Sequence, residues 1–329
     1  MQIAIEDARR LVIRCFVVLG MGADEAAVIA DQIIDIELRG EHFGGMSRAL
    51  SIARMVSEGG RTAISVVRET PNLVLLDGGN TVGYVVVHQA TNRAIEKARA
   101  TGVGIGAANN TFFTGQFSYY LEMATRAGFV AIAMGASGPS VAPFGASEAR
   151  FGTNPIAFGI PTIGDPVIVD IGTSQLMVGD LHLAARTGKS LPEGAAYDAE
   201  GKPTTDPNAA LGGAIAAWGG HKGAGIGMAM QMIGIMIGAA TARADHRESA
   251  YFLIVIDPAA FGDAEAFKQG VAAYADTVLA ARPIDPAQPP RLPFSRSAAE
   301  RRARLAAGYI NVPDTIVESL NQIAAGGQT

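Results

Sequence analysis

Cysteine is almost absent: Cys15 is the only one in 329 residues. No internal disulfide can form, which fits a reducing compartment, and Cys15 reads as a small apolar member of the first helix. Aromatic side chains are sparse at 6%, and Lys and Arg are scattered through a chain of net charge −5. Without a basic stripe there is no footprint for nucleic acid. Charged residues reach only 17% while hydrophobic ones reach 49%, a balance that excludes disorder for most of the chain. The N-terminus, MQIAIEDARRLVIRCF, has charges spread through it and no basic region leading into an apolar core and a cleavage site. No secretory signal is expected, and the cytoplasm is the expected location.

Further absences narrow the chemistry. His42, His88, His182, His221 and His246 show no i, i+4 pairing and no cluster with cysteine or carboxylates, so a zinc site is not expected. Gly102, Gly104 and Gly106 sit inside an apparent strand, the wrong setting for the glycine fingerprint of a Rossmann dinucleotide site. One uncharged run, 224–242, reaches the length of a membrane span. Its glycines, and the lack of an aromatic belt or a companion span, favour a helix buried on all sides in a globular core. No membrane partner is expected.

What is present is an alternation of periods. Apolar residues recur at helical spacing over 6–19 and 24–38, with Asp24 as N-cap, and a third helix is expected over 47–57. From Asn72 strands and helices alternate: a strand and turn in NLVLLDGGN, a helix over 82–100, a strand over 103–108, a helix over 117–126 and a strand over 129–134. Such alternation argues for an α/β sheet with buried strands. A Gly- and Pro-containing excursion over 187–213 precedes the apolar helix, a strand over 251–256 and a helix over 264–281. The Pro-rich segment 282–293 then crosses the surface and leads into two terminal helices. The expected division is a helical unit made by both termini, 1–70 plus 282–329, beside a mixed α/β unit, 71–281.

Chemistry gathers in 151–180, FGTNPIAFGIPTIGDPVIVDIGTSQLMVGD. Pro155 biases Asn154 away from the helical region, so GTNP should be an extended turn that presents Thr153. The β-branched run Val167 to Val169 ends in Asp170 and a Gly-Thr-Ser triplet, and polar groups at the end of a buried strand are placed to meet a ligand. GGHKGAG, 219–225, joins flexible backbone, the Lys222 ammonium and a helix start, three ways of holding phosphate. Arg48, in the glycine-bent loop RGEHFGGMSR, is suited to gripping a carboxylate. His182 follows Asp180 by two residues, and on a strand the two would share a face.

The ordered series GTNPIAFGIP, VIVDIGTS, LPEGAAYD, GKPTTDP and GGHKGAG resembles the malate/L-lactate dehydrogenase family, over about residues 5–313. That family includes sulfolactate and ureidoglycolate dehydrogenases and the Δ1-piperideine-2-carboxylate/Δ1-pyrroline-2-carboxylate reductases. The resemblance implies a mixed-sheet, non-Rossmann α/β fold with a helical domain from both termini. It also implies hydride transfer with NADPH or NADH to or from a small-molecule substrate, in a homodimer with sites near the subunit interface. By position it assigns Asp170, Ile171, Gly172 and Ser174 at the strand end, and His221 and Lys222 in the phosphate-side loop, to the cofactor. Phe113, Thr114 and Gly115 fall in another cofactor loop, as do Phe294, Ser295 and Arg296. Thr153 and Arg48 match substrate contacts, and Asp180 matches an acid that orients the catalytic histidine in the imine-reducing branch.

The departures bear on mechanism. The Ser-His-Gly that the family carries before the arginine reads Phe43, Gly44, Gly45; a second family histidine is replaced by Phe113; and a Pro-Gly-Glu contact becomes Pro293, Phe294, Ser295, Arg296. Reducing a ketone needs a proton for the developing alkoxide, and a positioned acid is typically worth about 10²- to 10⁴-fold. A protonated imine already carries its proton, so the departures favour imine reduction. His42 or His182 could serve as a relocated acid, and Asp180 could hold the proton if buried. A 2-hydroxy acid dehydrogenase with such a relocated acid, or a member without redox activity, stays open. If Phe43, Phe112, Phe113, Phe117 and Phe294 converge, the pocket is more apolar than the family norm and favours a bulkier or less charged substrate than malate.

Overall fold

The computed structural model of the chain describes residues 1–241 and 248–327; His246 and the end of the apolar run at Ala242 lie outside the described residues. The chain opens with β1 (Gln2–Ala4), α1 (Ile5–Val18), α2 (Ala23–Leu38) and α3 (Met46–Ser57). Asp24 is not the cap of α2. Gly22 holds that place, with its N–H donating to Glu25 at 3.1 Å, and Asp24 sits in the first turn beside the positive end of the helix dipole. The apolar faces of the three helices meet in a core that includes Phe16, Ile29, Ile33, Met46 and Ile52.

The sheet follows. β2 (Ser65–Thr70), β3 (Leu73–Val82), α4 (Gly83–Thr101), β4 (Val103–Phe112), α5 (Phe117–Arg126), β5 (Val130–Ala136), β6 (Ile156–Ile160) and β7 (Val167–Ile171) come in succession. Next are α6 (Val178–Thr187), the short pair β8 (Ala196–Tyr197) and β9 (Ala214–Ile215) flanking α7 (Pro207–Leu211), then α8 (His221–Met236), β10 (Ser249–Ile256) and α9 (Ala264–Leu279). Among the described residues the main sheet has seven strands in the order β2-β3-β4-β10-β5-β6-β7. β3 and β4 run parallel and every other neighbouring pair runs antiparallel, so the sheet is mixed as expected. β2 carries no periodic signal because it is an exposed edge strand, and it places 65–70 in the sheet rather than among helices.

The strand glycines have a packing role. A Cβ on Gly104 falls 1.9 Å from the carbonyl oxygen of Ala94, and one on Gly106 falls 2.4 Å from that of Ala90. They let α4 lie directly on β4, which is why they sit mid-strand and not in a phosphate-binding turn. α8 departs from expectation. It is not buried on all sides: Gly223, Gly227 and Gly234 turn inward, while Met228, Met232, Ile235 and Met236 are exposed in the single chain. Its small residues meet the protein because a Cβ on Gly227 falls 2.6 Å from the Phe151 ring. Among the described residues no helix is long and apolar enough to cross a membrane.

The chain closes with α10 (Ser295–Ala307), β11 (Tyr309–Asn311) and α11 (Asp314–Ala324). β11 pairs antiparallel with β1, Ile310 facing Ile3, and Leu320 of α11 joins the core of the opening helices. Replacing Gly104 by Val should push α4 off the sheet and destabilise the fold by about 1–3 kcal/mol, read as a lower urea midpoint with unchanged slope.

Candidate active site

Three loops are fixed by packing before any ligand is considered. After β4 the backbone bends sharply at Phe113, φ 50°, and Gly115, φ 79°. The Tyr120 hydroxyl donates to the Thr114 carbonyl at 2.7 Å, and a Cβ on Gly83 would fall 2.8 Å from Thr114 Cα. A glycine opening α4 thus lets the loop pass close. At the end of β7, Asp170 turns to the start of α5 and accepts the Ser118 N–H at 2.8 Å. Burial pushes its carboxyl above the ordinary carboxylate range, opposed by the N–H groups of Ser118 and Phe117. The third loop belongs to α10, where Phe294 adopts φ 69° and lays its ring 4.6 Å from the Arg39 guanidinium.

These loops enclose a cavity of about 550 Å³. Gly115, Asp170, Gly172, Phe294 and Arg296 from the sequence-derived set line it, together with Phe117 and Met177. Ser174 is turned inward, its hydroxyl donating to the Leu176 carbonyl at 2.7 Å. Ile171, Thr114 and Ser295 flank lining residues in the chain and do not themselves line the cavity. A dinucleotide presents flat rings, hydroxyls and phosphates. The walls answer with two phenyl rings, the carboxylates of Glu41 and Asp170 and guanidiniums, and the glycines leave room.

Arg48 forms a second focus. Its guanidinium lies between the Phe43 and Phe113 rings, 4.4 and 4.5 Å from their centroids. Burial holds its pKa below the ordinary guanidinium value, with Tyr84 opposing, and no carboxylate among the described residues pairs with it. The five phenylalanines therefore do not share one pocket. Phe43 and Phe113 sandwich Arg48, Phe117 and Phe294 line the cavity, and Phe112 is 2% exposed in the helical core. Adjacent Phe112 and Phe113 stay in edge-on contact, ring centroids 6.0 Å apart, because β4 ends at Phe112 and the backbone bends at Phe113.

His42 stands at the rim of the same loop, its Nδ1 2.5 Å from Oε1 of Glu37. Glu37 is 3% exposed and its other oxygen accepts the Met46 N–H at 2.7 Å. A Cβ on Gly45 would fall 2.1 Å from that carboxylate, so Gly45 makes its room. Sequence reading missed Glu37, which is hidden in the apolar run of α2. Its signal was a carboxylate five residues before a histidine, with the helix-ending Gly40 between them.

Two assignments change. Asp180 and His182 lie in α6, not on a strand, and positions two apart on a helix diverge by about 200°. Asp180 is exposed in the single chain and accepts the Met177 N–H at 2.9 Å, closing a helix cap, so the burial that was to make it a proton donor is missing. His182 is exposed on the same helix. The GTNP turn is also tighter than foreseen: Asn154 takes φ 30° and its amide donates to the Gly227 carbonyl at 2.8 Å, which fastens α8 to the sheet. Thr153 is buried, its carbonyl accepting from Thr173 N–H at 2.8 Å. His221 and Lys222 open α8 as exposed residues, His221 edge-on to Phe144, and neither lines the cavity.

The sequence model of the malate/L-lactate dehydrogenase family matches residues 3–321. The L-sulfolactate dehydrogenase of Methanothermobacter thermautotrophicus is 34% identical over 290 residues, 84% of this chain and 85% of that one. A dehydrogenase structure from Sinorhizobium meliloti superposes with a TM-score of 0.90 at 32% identity, over 98% of each chain. The Δ1-piperideine-2-carboxylate reductase structure from Pseudomonas syringae pathovar tomato gives 0.89 at 30% identity, over 98% of this chain and 99% of that one. The chain belongs to the malate/L-lactate dehydrogenase family.

Asp170 yields a pH prediction. Its folded pKa is raised above the unfolded value near 3.8, so its contribution to stability is full below that value and is lost as pH rises through the folded pKa. Asp170→Asn keeps an acceptor for Ser118 and removes the titration. Its urea midpoint should fall less than that of the wild type between about pH 4 and 7.

Proposed function

We propose that the chain is an NAD(P)H-dependent reductase of a small imine bearing a carboxylate, of the cyclic imino acid class. The observation that carries this reading is Arg48: a largely desolvated guanidinium with no carboxylate partner among the described residues, set against two aromatic rings. A planar fork so placed suits one substrate carboxylate, and the rings of Phe43 and Phe113 suit apolar ring carbons beside it. When bound, the nicotinamide cofactor supplies hydride. The residues of the chain hold the substrate carboxylate at Arg48, keep water from the aromatic faces, and offer the cofactor the cavity walled by Gly115, Asp170, Gly172 and Phe294. A relative of known structure, the Pseudomonas syringae Δ1-piperideine-2-carboxylate reductase, is named for a substrate of this class.

A second reading rests on the Glu37–His42 pair. A buried carboxylate on Nδ1 fixes the imidazole and leaves Nε2 to exchange a proton, the arrangement a 2-hydroxy acid dehydrogenase needs. Relatives named as sulfolactate and malate dehydrogenases support it. We further propose a homodimer closed over the exposed face of α8, where Met228, Met232, Ile235 and Met236 recur at helical spacing.

Cofactor oxidation should proceed with cyclic imino acids faster than with 2-oxo acids; the reverse order would select the second reading. Arg48→Ala should raise KM about 30- to 100-fold with a smaller change in kcat, and Arg48→Lys should not restore it. His42→Asn should lower kcat for a 2-oxo acid by about 10²-fold and change imine turnover little. Met232→Glu should shift the particle mass measured by light scattering from dimer to monomer, and a monomeric wild type would end the dimer proposal.

A further inference from the structure

At the rim of the cavity, the first turn of α10 has the character of an anion site. It contains no acidic residue, and Phe294 at the cap position offers no side-chain acceptor. Ser295 N–H bonds to Leu292 and Ala298 N–H to Phe294, while the N–H groups of Arg296 and Ser297, both cavity-lining, take no backbone acceptor. The ion pairs of α10 belong to Arg301, Arg302 and Arg304, further along the helix. Arg296, and Arg291 just before the turn, line the cavity without a carboxylate partner among the described residues.

An independent observation comes from the wall behind them. Arg39 lines the same cavity and is 2% exposed; two of its nitrogens are taken by Asp35 and Glu122, and Nη1 is buried with no hydrogen-bond partner. A buried donor left unmet is costly, and a site beside a cavity retains one where a ligand completes it. Phe294 stacks on that guanidinium and carries the turn that presents Arg296.

Resting on the reductase reading, we propose that this rim, Arg291, Arg296 and the free N–H groups of the α10 first turn, binds the 2′-phosphate of NADPH and makes it the preferred cofactor over NADH. The two cofactors share a pyrophosphate with about one charge per phosphorus. Only NADPH adds a monoester, which carries close to two charges and three strong acceptor oxygens. Two unpaired guanidiniums and open N–H groups at a helix start match the monoester. The 2′-hydroxyl of NADH is held elsewhere by a carboxylate acceptor; the α10 first turn has none, and the cavity's carboxylates, Glu41 and Asp170, belong to other segments.

The test is calorimetric binding of NADPH and of NADH, without substrate, to the wild type, Arg296→Ala and the Arg291→Ala/Arg296→Ala double variant. Circular dichroism melts confirm that these exposed substitutions leave the fold intact. NADPH should bind at least about tenfold tighter than NADH to the wild type. Each loss of guanidinium should weaken NADPH about 10-fold or more, with NADH unchanged. Equal or tighter binding of NADH overturns the proposal and leaves the reductase reading standing. A parallel fall for both cofactors also overturns it, because the arginines then serve the pyrophosphate. Binding of neither at millimolar concentration removes the reductase reading itself.

Discussion

The cavity depends on one buried cluster of charge. Asp35 on α2 accepts from Arg39 at 2.6 Å and from Arg301 of α10 at 2.5 Å, and Arg39 reaches on to Glu122 of α5 at 2.7 Å. Arg304 adds a bond to the Leu38 carbonyl at 2.7 Å. Three helices from distant parts of the chain are thereby held at one place. Breaking a buried pair by removing one partner leaves an uncompensated charge and costs about 3–5 kcal/mol, so the arrangement tolerates little drift. Two of the cavity walls, the α10 turn and the α5 start, take their positions from it.

Two foci then divide the work by polarity. Around Arg48 the neighbours are aromatic rings and the cation stands alone; around the cavity the neighbours are helix starts, hydroxyls and charges of both signs. A lone cation between rings is strengthened electrostatically toward one anion, because water is kept from competing. Glu37 connects to both, since its side chain holds His42 and Met46 while its carbonyl lies 3.1 Å from Arg304.

The helices and buried strands were legible because their period reports a face: α5 was placed residue for residue, and α2 and α4 within a residue or so of each end. β2 and the β1–β11 pair were not, since short, exposed strands carry no buried period and their partners lie far along the chain. The α/β sheet followed from the alternation of periods, while its mixed character was what the resemblance to the family implied. Of the candidate site residues, those tied to backbone geometry, Gly115, Asp170 and Gly172, line the cavity. Asp180 was read on a strand because a Gly-Asp pair after a polar loop suits several settings, and in the fold it closes the cap of α6. Glu37 and Arg39 were invisible for the opposite reason. Glu37 sits in, and Arg39 ends, a helix whose apolar pattern is satisfied without them, and only the fold shows that their charges are buried.

The pairing of β1 with β11 has a consequence for biosynthesis. A ribosome releases β1, the three opening helices and the sheet strands long before α10, β11 and α11 emerge. Until then β1 has no partner, the core around Phe16 and Ile33 lacks Leu320, and Asp35 and Arg39 face each other without Arg301. The cavity therefore lacks a wall throughout most of translation. The last wall is added only when the tail of the chain docks against its head.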